Sequence, residues 1–125
     1  MITKEQVLNK INSGWHNLVE QVFEIEKQLP FCSGIADISR MNGMLQVRFV
    51  YADTLNEYQR FILESIEYRF ERISAKICEK CGTHGFRRKD LKEIQSLCFT
   101  CYVLEYDTIA DFVPPLVANQ PPQNN

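Results

Sequence analysis

Four of the five cysteines form two Cys-x-x-Cys pairs, Cys78 with Cys81 and Cys98 with Cys101, separated by sixteen residues. Two intervening residues allow the chain to curl so that both sulfurs of a pair reach one ion. Four thiolates complete the tetrahedral coordination of zinc and leave no position for a reactive water. The spacing therefore predicts one structural Zn²⁺ held by these four cysteines. An iron–sulfur centre or a pair of redox-active dithiols are the alternatives.

Residues near the two pairs add detail to this prediction. Gly82 follows the first pair directly and suits the positive φ that such a turn requires. His84 is close enough to be considered as a ligand, but four cysteines make it surplus, and we interpret it as a polar loop residue. Cys32 stands apart and is interpreted as a small buried side chain rather than a nucleophile. The odd cysteine count favours reduced thiols.

Charge is unevenly distributed around the cysteines. The segment 76–92 holds six basic and two acidic residues, a local charge of +4, whereas the rest of the chain carries −6. At its centre lie the candidate partner-binding residues Phe86, Arg87, Arg88 and Lys89. Such a run could contact an acidic protein, or it could hold phosphates while Phe86 stacks on a base. It could equally be a solvated loop, and a net charge of −2 is unusual for a nucleic-acid-binding domain.

No catalytic motif is present in the sequence. It lacks a Gly-rich phosphate loop, a Ser/His/Asp set and a His-Glu-x-x-His motif. The carboxylates Glu64, Glu67 and Glu71 share a helical segment with arginines, which indicates a solvated charged face rather than an acid/base pair. We therefore expect a protein that binds a partner and is not an enzyme.

The elements that position the cysteines are predicted from periodicity. Residues 3–29 read as a helix in two pieces, with a capping box at Thr3 and Gln6 and a break at Ser13-Gly14. Trp15 is expected to be a core anchor. Residues 35–51 read as a β-hairpin that turns at Asn42-Gly43, with alternating apolar residues in its second strand.

A long helix is predicted over residues 54–76, with a capping box at Thr54 and Glu57. Its expected buried stripe consists of apolar residues at steps of three and four: Leu55, Tyr58, Ile62, Ile66, Phe70, Ile73 and Ile77. Residues 82–97 are expected to be a long loop pinned by the metal. Residues 102–112 are expected to form a strand or a short helix.

Together these elements predict an α+β fold with N-terminal helices, a β-hairpin, a long helix and a C-terminal four-cysteine zinc ribbon. We expect one domain over residues 1–112, with the ribbon at 76–103 and a disordered tail at 113–125. The chain has no apolar run long enough to cross a bilayer and no signal-peptide pattern, so we expect a cytoplasmic location.

Two resemblances follow from these motifs. Gly14-Trp15, the hairpin segment Leu45 to Tyr51, Ile77-Cys-Glu-Lys-Cys-Gly and Leu97-Cys-Phe-Thr-Cys resemble a group of small bacterial and prophage proteins. That resemblance covers roughly residues 13–103 and implies this fold with a zinc site, in phage-accessory or toxin-immunity settings. The segment 78–101 is also similar to the zinc finger of the DksA/TraR group, which implies binding to RNA polymerase. Gly85 and Ile94 depart from that finger's pattern.

Overall fold

The computed structural model describes residues 1–105 and has the α+β architecture that the sequence predicts. Its elements are α1 (Lys4–Lys10), a 3₁₀ turn (Ser13–Trp15), α2 (His16–Gln28), β1 (Ile35–Met41), β2 (Met44–Phe49), α3 (Glu57–Ser74), β3 (Phe86–Arg88), β4 (Gln95–Leu97) and α4 (Phe99–Glu105). The predictions for residues 106–112 and for the tail lie outside the described residues. None of the described helices is both long and apolar enough to cross a membrane.

The N-terminal helical segment begins and breaks where the sequence predicts. The Thr3 hydroxyl accepts a hydrogen bond from the Gln6 amide (3.2 Å), and the Gln6 side chain accepts one from the Thr3 amide (2.9 Å). This capping box satisfies two amides that have no partner within the helix. The 3₁₀ turn at Ser13–Trp15 then redirects the chain into α2.

The hairpin of β1 and β2 is antiparallel and turns at Asn42 and Gly43, whose φ angles are 52° and 79°. Two positive φ angles match the right-handed twist of paired strands, which is why Asn-Gly is favoured here. Leu45, Val47 and Phe49 are buried on one face of β2, as the alternation predicts.

The predicted cap of α3 is wrong. Asn56 and Gln59 form the capping box instead of Thr54 and Glu57, with the Asn56 side chain accepting from the Gln59 amide (2.8 Å). The helix starts later because the preceding residues form a turn, in which the Leu55 amide donates to the Ala52 carbonyl (3.1 Å). Asn is a somewhat better N-cap than Thr, and Asn56 with Gln59 offered a second capping-box start in the sequence.

The predicted buried stripe of α3 is also partly wrong. Leu63 is fully buried, whereas Tyr58 is 71% exposed and Ile73 is 39% exposed. Apolar side chains lie on both sides of this helix, and only one side packs on the narrow hairpin. Ser74 is buried as well. Its burial is tolerated because its hydroxyl accepts a hydrogen bond from the Leu45 amide (2.7 Å) and donates one to the Glu71 carbonyl (2.8 Å).

Glu67 does not belong to a solvated face. Its carboxylate accepts a hydrogen bond from the Phe49 amide (2.9 Å) and so satisfies the last amide of β2. The neighbouring Tyr51 hydroxyl is buried and has no hydrogen-bond partner among the described residues. Burial and the Glu67 carboxylate together raise the pKa of Tyr51.

Residues 82–97 contain a second hairpin rather than the predicted loop. β3 and β4 pair antiparallel, with Phe86 opposite Leu97 and Arg88 opposite Gln95. Each strand has only three residues, too few for an alternating pattern to be read from the sequence. The main core joins the helices to the first hairpin, and a smaller cluster of Cys78, Leu97 and Tyr102 lies inside the ribbon.

The side of α3 that faces the core predicts a large loss of stability when one side chain is removed and almost none when another is removed. Leu63→Ala removes a fully buried side chain and should lower the free energy of unfolding by about 2–5 kcal/mol. Tyr58→Ala removes an exposed one and should change it by less than about 0.5 kcal/mol. Urea unfolding of dilute protein measures both. An equal loss in the two variants would contradict the assignment of Leu63 to the buried side of α3 and of Tyr58 to the exposed side.

Candidate metal centre

The first cysteine pair lies at a tight turn that follows α3. The Gly82 amide donates to the Cys78 carbonyl (3.0 Å), and Gly82 has a φ of 83°, as predicted from its position. The Cys78 amide donates to the Thr83 carbonyl (2.7 Å), which closes the turn from the other side. These hydrogen bonds fix the turn formed by residues 78–83, which carries both Cys78 and Cys81.

The second pair lies at the junction of β4 and α4. Leu97 ends the strand, Cys98 follows it, and the Cys101 amide donates to the Cys98 sulfur (3.3 Å). The Tyr102 amide donates to the Cys98 carbonyl (2.9 Å) and begins the helical hydrogen-bonding pattern. Amide donors at a helix start stabilise a thiolate, because the positive end of the helix faces it.

The four sulfurs form one cluster. All of them lie within 4.8 Å of one another, and the Sγ atoms of Cys81 and Cys98 are 3.6 Å apart. Four sulfurs bound at about 2.3 Å to a tetrahedral zinc ion lie about 3.8 Å from one another. The cluster could therefore bind a metal ion, and its donor set and spacing fit zinc. None of the five cysteines forms a disulfide.

The thiols in the cluster have different proton affinities. Hydrogen bonds from the Thr83 hydroxyl and amide lower the pKa of Cys81 to about 6. Burial and the neighbouring cysteines raise the pKa of Cys101. Several thiolates at this distance repel one another, and a bound cation relieves that repulsion.

Glu79, between the first two cysteines, is fully buried. Its Oε1 accepts from the Arg40 guanidinium (2.6 Å) and from the Asn12 amide group (3.3 Å). Its Oε2 accepts from the Ser96 backbone amide (2.9 Å), while the Glu79 amide donates to the Ser96 carbonyl (2.9 Å). A buried carboxylate is tolerated only when it is paired and hydrogen-bonded.

Arg40 connects this carboxylate to the first hairpin. It lies near the end of β1, and its second guanidinium nitrogen donates to the Ile94 carbonyl (2.6 Å) just before β4. The Ser96 hydroxyl donates to the Gly43 carbonyl (2.6 Å), which ties β4 to the hairpin turn. The ribbon is thus attached to the body by polar contacts that are largely buried.

The break between α1 and α2 packs directly against the first cysteine pair. The Gly14 amide donates to the Glu79 carbonyl (2.8 Å), and a Cβ at Gly14 would overlap the carbonyl oxygens of Cys78 and Glu79. The buried Trp15 indole donates to the Ile77 carbonyl (3.0 Å). Gly14 is therefore required for this close approach, since no larger residue fits there, and the Trp15 ring anchors the segment that follows α3. Trp15 is a core anchor, as predicted.

The four candidate partner-binding residues have different environments. Arg87 donates to the Asn42 carbonyl (2.8 Å) and so braces the ribbon against the first hairpin. Arg88 lies 3.7 Å from the centre of the Tyr102 ring and forms two hydrogen bonds to Asp90 (2.8 and 3.0 Å). Partial burial of the Asp90 carboxyl acts to raise its pKa, but the hydrogen bonds and the charge of Arg88 lower that pKa overall. Phe86 is 46% exposed and Lys89 is also exposed.

His84 and Cys32 are outside the metal cluster. His84 is exposed and contacts the Phe86 ring edge-on, with 5.4 Å between ring centres. Cys32 is half-buried beside the main core, and its thiol lies 3.6 Å from the Gly34 carbonyl. Burial raises the pKa of this thiol, which agrees with its interpretation as a packing residue.

Comparisons with known proteins give no relative: no family model, curated protein or solved structure matches this chain. The sequence resemblances therefore stand on their motifs alone. What the structure supports directly is a cluster of four cysteines that could bind a metal ion in an α+β fold.

The cluster predicts selective effects of cysteine substitution. Cys98→Ser should abolish binding of the metal ion and should unfold the ribbon, because three remaining thiolates leave the ion incompletely held. Cys32→Ser is the matched control and should keep one metal ion per chain. Native mass spectrometry reports the metal content and far-ultraviolet circular dichroism reports folding. A cooperative, native-like thermal transition of metal-free Cys98→Ser protein would contradict the prediction.

The buried ion pair of Arg40 and Glu79 predicts a large loss of stability when Arg40 is replaced. Arg40→Met leaves the Glu79 carboxylate buried without its cation and should cost about 3 kcal/mol of stability. Lys4→Met breaks an exposed ion pair with Glu20 of 2.9 Å and should cost less than about 1 kcal/mol. Urea unfolding compares the two variants. Equal, small losses would show that the buried pair does not hold the ribbon.

Proposed function

We propose that this chain is a zinc-stabilised recognition module without enzymatic activity, in which Cys78, Cys81, Cys98 and Cys101 hold one structural Zn²⁺. The cluster of four sulfurs within 4.8 Å is the observation that carries the proposal. Four thiolates leave zinc no open coordination position, so the ion would stabilise the fold and perform no chemistry.

The buried carboxylate of Glu79 supports a structural part for the metal. Its partners come from three separated parts of the chain, Asn12, Arg40 and Ser96. A zinc ion that fixes Cys78 and Cys81 would also fix the residue between them, and therefore the position of the ribbon on the body. A ribbon held in this way presents its exposed residues with little loss of conformational entropy on binding.

The exposed face of the ribbon is the proposed binding surface, with Phe86 and Lys89 as its central contacts. Phe86 is an exposed aromatic side chain on β3, and Lys89 follows that strand. Arg87 and Arg88 instead stabilise the position of this strand, through contacts with the Asn42 carbonyl and the Tyr102 ring respectively. The nearby lysines Lys76, Lys80 and Lys92 are exposed as well.

The proposed partner is a protein with an acidic surface. A basic patch on an otherwise acidic chain steers association with such a surface and disfavours other partners. The resemblance to phage-accessory and toxin-immunity proteins favours an inhibitor of a protein target. Nucleic acid and RNA polymerase are the alternative targets, and the overall negative charge disfavours the first of them.

A double substitution on the ribbon tests this proposal. Phe86→Ala with Lys89→Glu should keep the metal and the fold but should lower partner capture from the source cells' lysate at least about tenfold, a loss of about 1.4 kcal/mol. Lys27→Glu, at the end of α2, is the control for a charge change elsewhere and should capture normally.

Quantitative mass spectrometry of the captured proteins, with and without nuclease, provides the readout. Loss of captured material on nuclease treatment would replace the protein target with nucleic acid. Unchanged capture by the double variant would show that this face of the ribbon is not the interface.

A further inference from the structure

Helix α3 carries a second exposed surface that the proposed function does not use. Three of its large side chains point away from the core, with exposed fractions of 71% for Tyr58, 64% for Phe61 and 59% for Tyr68. With Ser65 and Arg72 they recur at steps of three and four, so they line one face of the helix. We call this set, Tyr58, Phe61, Ser65, Tyr68 and Arg72, the outer face of α3.

The outer face lies opposite the side that packs on the hairpin. Leu63, Phe70 and Ser74 are buried and lie at helical positions about half a turn away from it. Exposed aromatic side chains grouped along nearly three turns of one helix face are unusual on a monomer, and such patches mark interaction sites. Aromatic and arginine side chains are also the residues that contribute most to protein interfaces.

The exposed charges of this helix have opposite signs in its two halves, whereas Arg60, Glu67 and Glu71 are half-buried. Glu57 and Glu64 are exposed in the first half, whereas Arg69 and Arg72 are exposed in the second half. Among the described residues, Glu57, Glu64 and Arg69 form no salt bridge. Arg72 contacts its own Tyr68, with the guanidinium 5.6 Å from the ring centre and a hydrogen bond of 3.2 Å to the hydroxyl.

The outer face is self-complementary when two copies run in opposite directions. Tyr58 lies seven residues before Ser65 and Arg72 seven after it, while Phe61 lies four before and Arg69 four after. A two-fold axis at Ser65 therefore places Tyr58 of each copy near Arg72 of the other, and Phe61 near Arg69. Arginine over an aromatic ring contributes about 0.5–1 kcal/mol at an exposed site.

The same axis brings Glu57 close to Arg72 of the second copy, and the small side chain of Ser65 lets the helices approach at the centre. A parallel pair in register would instead place Glu57 against Glu57 and Arg72 against Arg72. Like charges in contact are unfavourable. A parallel pair repeats that contact at Glu57, Glu64 and Arg72, whereas the antiparallel pair has it only at Glu64 beside the axis, so the charge pattern favours the antiparallel arrangement. An interface of this kind is isologous, which is the usual symmetry of homodimers.

From this pattern we propose that the outer face of α3 is a homodimer interface, in which two copies pack their α3 helices antiparallel about Ser65. The helix is about 27 Å long, so the contact is limited to one face of one helix in each copy, and we expect it to be smaller than a standard interface of about 1,600 Å². The dimer is therefore a weak one, with a dissociation constant in the micromolar range, about 1–100 µM.

Sedimentation equilibrium over a concentration series tests the interface. The unmodified chain should change from monomer to dimer across the micromolar range, and Phe61→Glu should weaken the dimer at least about tenfold. Leu104→Glu is the matched control, because Leu104 is an exposed apolar residue of another helix, at 72%. Circular dichroism confirms that both variants remain folded. A monomer at every concentration, or a dimer insensitive to Phe61→Glu, would overturn the proposal.

Crosslinking tests the orientation of the two helices. With a short thiol-reactive crosslinker, Ser65→Cys should link to the same residue of the second copy, as identified by peptide mass spectrometry. Tyr58→Cys should not, because its two copies lie about 21 Å apart along an antiparallel pair. Self-linkage at position 58 would show a parallel pair and would overturn the arrangement proposed here.

Discussion

The buried carboxylate of Glu79 is the constraint on which the arrangement of this chain depends. An unpaired charge in the interior is so costly that the fold must bring donors to it. Those donors come from the loop after α1, from the end of β1 and from β4. Because Glu79 lies between Cys78 and Cys81, the same contacts fix the position of the cysteine cluster relative to the helices and the first hairpin.

The ribbon has little stability of its own without these contacts and a metal ion. Its strands have three residues each and α4 has seven, lengths that are marginal in isolation. Metal binding by four thiolates contributes on the order of 10 kcal/mol, and in small domains that free energy stabilises the fold. A metal ion in the cluster and the carboxylate beside it would therefore reinforce each other, since each holds the first cysteine pair in the same position.

Local patterns predicted much of this fold, whereas pairings between distant residues could not be predicted. The cysteine spacing, the Asn42-Gly43 turn and the Thr3 capping box depend on neighbours within a few residues, and the structure has all three. From the sequence, Glu79 enters only as one of the two acidic residues in the charge count of segment 76–92, because its partner Arg40 is 39 positions away. The rotation of α3 was ambiguous for the same reason, since aromatic residues on its outer face look like core residues until the packed side is known.

Hydrogen–deuterium exchange of the zinc-loaded and of the chelator-treated protein tests the central claim, that the cysteine cluster and the body are one coupled unit. The account predicts faster exchange throughout the ribbon, and also at the amides of Gly14 and Ser96 that bond to Glu79. The interior of α2, away from the ribbon, should exchange at an unchanged rate at first. If removal of the metal leaves the Gly14 and Ser96 amides protected, the cluster is not coupled to the body through Glu79 and the account is wrong.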